Sequence, residues 1–140
     1  MATRWFAATE VLMAAILLAG CSGPLPGTGG GGEALPLLGE RTWTLRPGQF
    51  AEANLAMDRN DRIVFALGAT GGEVAWDVHG HAWDGAVETY MSGTDASVKE
   101  GFVAPEDHGY SILVEPRGDR DVVVKLRIEG SATVESWFPA

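Results

Sequence analysis

Residues 77–81 read Asp-Val-His-Gly-His. In an extended chain successive side chains alternate between faces. Asp77, His79 and His81 would then share one face, with Trp76 and Val78 on the other. A His-x-His pair with a neighbouring carboxylate can grip one divalent ion, and imidazole suits both Zn²⁺ and Cu²⁺. The third histidine, His108, follows Glu106 and Asp107, and Asp84 lies just past His81. A fold that returns His108 to this strand would give a metal set of His79, His81, Asp77 and His108, with Cu or Zn as the cofactor. Three protein ligands and a water could support metal-dependent hydrolysis, although no general base or oxyanion donor accompanies them. A plainer reading is that Asp77 and His79 bond each other or a nearby turn. Gly80 and Gly85 also announce a turn or bulge beside His81.

Other reactive residue types carry less. Ser92, Ser97, Ser111 and Ser136 stand in no nucleophile-elbow context. Gly29–Gly32 has no following Lys-Ser/Thr, so it is no phosphate loop. Met57 and Met91 could add thioethers to His79 and His81 for Cu(I), but isolated Met usually fills cores. Of five tryptophans, Trp76 and Trp43 suit a core and Trp5 lies near the start. Trp83 and Trp137 remain as candidates for exposure, where an indole can stack on a sugar ring.

The elements that must position these groups are strands. From Arg41 onward, runs of four to nine residues rich in Val, Ile, Thr, Phe and Trp alternate with Gly, Asp, Asn and Pro. That texture predicts an all-β domain, and no stretch has a 3.6-residue period. Expected strands are 41–46, 50–57, 62–69, 73–81, 86–91, 98–103, 109–115, 121–129 and 133–138. Pro116-Arg117-Gly118-Asp119 looks like a hairpin tip. Ile112 and Val114 would face inward on one side of it, and Val122, Val124, Leu126 and Ile128 on the other. The expected fold is a single antiparallel β-sandwich, jelly-roll-like, with eight or nine short strands over residues 41–140.

Residues 1–40 differ in texture. Arg4 precedes an uncharged apolar run, Val11–Ala19, that is too short to span a bilayer, which takes ~20 residues. Leu18-Ala19-Gly20-Cys21 follows and contains the one cysteine. Residues 22–40 are rich in Gly and Pro and read as a linker spanning roughly 25 Å. The Leu35–Leu38 cluster could be the first piece to dock on the domain. The chain carries 19 acidic and 10 basic residues, a net charge of −9. Arg4 and Glu10 cancel, so residues 21–140 carry the same net charge. That balance disfavours nucleic acid and anionic surfaces as partners.

Leu18-Ala19-Gly20-Cys21 resembles the lipobox of bacterial lipoproteins. The resemblance implies a signal peptide over 1–20, cleavage before Cys21, and acylation of that residue. The partner is then the membrane itself, through the lipid on Cys21. It also implies a cell-envelope location, with the outer membrane favoured in a Gram-negative cell because Ser22, rather than Asp, follows the cysteine. Trp76–His81, Gly101-Phe102-Val103-Ala104-Pro105 and Gly109-Tyr110 resemble the Golgi-dynamics (GOLD) domain and the bacterial pre-peptidase C-terminal domain. That likeness implies an accessory β-sandwich rather than a catalyst. The sequence thus points to a lipid-anchored envelope module whose partner is a small molecule or another envelope protein. Its rivals are a copper- or zinc-binding lipoprotein and a metal-dependent hydrolase at the same residues.

Overall fold

Alternation of buried and exposed side chains with a period of two runs through most strands. On β2 (Ala51–Met57), Ala51, Ala53, Leu55 and Met57 are buried, and on β8 (Val122–Gly130), Val122, Val124, Leu126 and Ile128 are buried. Strands of this kind bury one face only, so two sheets must close on each other. The structure, a computed structural model, describes residues 34–140. The expected signal peptide, Cys21 and most of the expected linker lie outside the described residues.

The other strands are β1 (Leu37–Leu45), β3 (Arg62–Thr70), β4 (Val74–His81), β5 (Val87–Asp95), β6 (Ser97–Val103), β7 (His108–Pro116) and β9 (Thr133–Phe138). They form a four-stranded sheet in the order β1-β8-β3-β6 and a five-stranded sheet in the order β5-β4-β7-β2-β9. All pairs are antiparallel. The pairing is nested: β1 with β8, β2 with β7, β3 with β6, β4 with β5. A single long hairpin folded over on itself gives this order, which is the jelly roll. The tip of that hairpin is the turn between β4 and β5.

The core lies between the sheets. Phe65, Trp76, Tyr110, Leu55, Ile63, Ile112, Leu126 and Ile128 are its larger members. Phe65 meets Trp76 edge-on at 5.5 Å, and the Trp76 indole N–H donates to Asp95 Oδ2 at 2.9 Å. Trp43 packs on Trp137 at 5.7 Å, and its N–H donates to the Pro139 carbonyl at 3.1 Å. Most buried indole N–H groups need such a partner.

Two expectations are corrected. Residues 116–119 are not a hairpin tip. β7 and β8 belong to different sheets, and the segment between them crosses over the core, where the Arg117 N–H donates to the Glu73 carbonyl at 2.9 Å. Both strands face the same core from opposite sides, and their alternation alone cannot distinguish this from pairing. β1 begins at Leu37, inside the stretch read as linker, because Leu37 and Gly39 pair with Glu129 and Ile128.

Candidate metal centre

β4 is flanked by β5 and β7, with β2 beyond β7. Its inward side chains Val74, Trp76 and Val78 are buried in the core. Asp77, His79 and His81 therefore share the outer face of the five-stranded sheet, as the spacing predicts. Gly80 keeps the inward register because the Tyr90 and Tyr110 rings fill its place. A β-carbon there would meet them at 3.0 and 3.2 Å. Burial pushes the hydroxyl pKa of both tyrosines up. For Tyr90 burial and then the adjacent Glu88 carboxylate raise it to about 12. Both stay neutral phenols at ordinary pH and supply no phenolate ligand.

On the outer face the register sets Ser111 of β7 opposite His79, and Asn54 of β2 opposite Ser111. Glu52, two residues before Asn54, reaches over β7 toward the imidazole. Its Oε1 stands 3.8 Å from His79 Nε2. One ligand atom each from Glu52, His79 and His81 lies within 4.8 Å of the others, and the two imidazole centroids are 4.9 Å apart, edge to face. His79 is 9% exposed, Glu52 half-buried and His81 exposed.

Neighbouring groups fix how each ring presents its lone pair. His79 Nδ1 is 2.6 Å from Asp77 Oδ1. A carboxylate only accepts, so Nδ1–H donates and the lone pair sits on Nε2, facing Glu52. The Ser111 hydroxyl gives its hydrogen to Asn54 Oδ1 at 2.7 Å, and the Asn54 amide donates to Ser136 Oγ at 3.1 Å. His81 Nε2, 3.1 Å from Ser111 Oγ, must then be the donor, which leaves the lone pair on Nδ1. Two rings held through one nitrogen, with the other free, are what a metal site requires.

The spacing decides what the set can hold. At 3.8 Å, Glu52 and His79 are too far apart for a hydrogen bond. Two donors on one tetrahedral Zn²⁺ stand about 3.4 Å apart, given bonds of about 2.0–2.1 Å. The three donors, within 4.8 Å of one another, must therefore draw somewhat closer to share one ion. Charge points the same way. Among the described residues no Lys or Arg pairs with Glu52 or Asp77, and the His79 ring stands between these two carboxylates.

The other expected ligands go elsewhere. Asp77 serves His79 rather than the donor triangle. His108 has the inward parity of Tyr110, whose ring is 6.2 Å away, and its Nε2 meets Glu106 at 3.0 Å. It therefore lies on the opposite side of the sheet from His79 and is replaced in the set by Glu52. Met57 is buried in the core, opposite His108 in the register, and Met91 packs against that core. Asp84 accepts from the Ala86 N–H within the β4–β5 turn. Glu52 escaped sequence reading because only the order β4-β7-β2 carries it to His79. The available signal was its outward parity on β2.

Compared with models of known protein families and with curated proteins, the chain matches none.

Proposed function

We propose that this chain is an exported metal-binding module, tethered to the envelope membrane through a lipid on Cys21. His79, His81 and Glu52 hold one Zn²⁺ or Cu²⁺ on the outer face of the sandwich. The observation that carries this reading is the pair of outward imidazoles, each with one nitrogen occupied by a neighbour and the other free, beside a half-buried carboxylate that lacks a cationic side-chain partner among the described residues. Asp77 orients His79, and Ser111, backed by Asn54, orients His81. The ion would offset the two carboxylates that now share one imidazole. Three protein donors leave a further coordination position for water or a small ligand.

The test is calorimetric titration of Zn²⁺ and of Cu²⁺ into the full-length, EDTA-stripped protein. One equivalent should bind to the wild type, and the His79→Ala/His81→Ala double variant should show no binding of that class. Equal affinity in the two proteins would refute the assignment.

A further inference from the structure

The turn at the tip of the folded hairpin is closed by its own hydrogen bonds. The Gly85 N–H donates to the Ala82 carbonyl and the Ala82 N–H to the Ala86 carbonyl, both at 2.9 Å. The Ala86 N–H is taken by Asp84, and Gly85 has a φ of 82°. This scaffold holds Trp83 outward, 92% exposed. A single exposed apolar residue needs no explanation. Trp83, however, borders an open cleft of about 480 Å³. The cleft is lined by the apolar Ala56, Met57 and Ala82, and by His81 and His108 together with the carboxylates of Asp58, Asp107 and Glu135. The indole is braced edge-on by His108, with centroids 6.4 Å apart.

We propose that this cleft binds a neutral sugar ring, stacked on Trp83, with hydroxyl groups donating to Asp58 and Glu135. A pyranose has an apolar C–H face and a rim of hydroxyl donors, and the cleft offers the complement of each. The indole supplies a large flat apolar face at little cost in side-chain freedom. Neither Asp58 nor Glu135 has a side-chain partner of its carboxylate among the described residues, so both are available as acceptors. No Lys or Arg lines the cleft, which disfavours phosphorylated or carboxylated ligands. Arg59 lines a separate neighbouring cleft, which Trp83 and Glu106 also border. A single aromatic wall is not the cage that quaternary ammonium ligands require, so an organic cation is the weaker fit. The site does not depend on the metal: His81 borders both, but the stacking face and the acceptors belong to other residues.

The full-length protein, in a zwitterionic detergent with EDTA, is titrated calorimetrically with neutral hexasaccharides of glucose, mannose, galactose and xylose. At least one should bind, and Trp83→Ala should weaken it by roughly tenfold or more. Asp58→Asn and Glu135→Gln should each weaken it several-fold. Because Trp83 is exposed, its variant should melt at the wild-type temperature, so lost binding reports on the site. Silence from all four sugars, or undiminished binding by Trp83→Ala, overturns the proposal. So does binding of spermidine alone that vanishes in about 0.5 M salt, which would reassign the cleft to cations.

Discussion

At the scale of single residues, the chemistry turns on which nitrogen of each imidazole is free. Asp77 decides this for His79 through a bond of 2.6 Å. Replacing it with Asn keeps the volume but removes the charge that fixes the tautomer. Asp77→Asn should therefore weaken metal binding by roughly 10–100-fold while leaving the melting temperature nearly unchanged. Calorimetry and a thermal melt on the same preparation check both parts. Aspartate, histidine and histidine at alternate positions were legible as a set because alternation is a local rule. Glu52 was not, since its approach to His79 depends on a strand lying between them. His108 shows the converse. Its residue type suggested a ligand, but the parity it shares with the buried Tyr110 turns it to the other side. Of the two tryptophans expected to be free, Trp137 packs on Trp43 and above Gly39, and only Trp83 stands clear.

At the scale of elements, β4 and β5 are matched side chain to side chain. Gly93 stands directly opposite Trp76, and a β-carbon there would meet three indole atoms at 2.7–2.8 Å. The indole cannot easily yield, being bonded to Asp95 and packed on Phe65. Gly93→Ala should cost about 1–3 kcal/mol, whereas Gly68→Ala, with open space beside it, should stay within about 0.5 kcal/mol. Urea unfolding of the two variants checks the contrast. All nine strands were legible from composition and alternation, with ends displaced by a few residues. Which strands pair was not, because a strand with one apolar face reads the same in either sheet. The 116–119 turn illustrates this: its flanking strands share a core without sharing a hydrogen bond.

At the scale of the molecule, the sandwich and the proposed lipid anchor rest on separate grounds. The sheets and their jelly-roll order follow from the pairing. The proposed anchor rests on Leu18–Cys21, and its test is chemical. Mass spectrometry of the amino-terminal peptide from the membrane fraction should find Cys21 first and acylated. Cys21→Ser should move the protein to the soluble fraction or leave it unprocessed. An unmodified Cys21 behind an intact Met1 in the native protein would contradict the anchor.

The nested pairing also sets an order of events. Apart from the hairpin around Trp83, each strand's partner lies far along the chain, and such distant closures are slow to form. The first of the described strands, β1, has its partner in β8, next to last among them. While the polypeptide is being made, β1 must wait, edge bare, until nearly all the rest of the sandwich has followed.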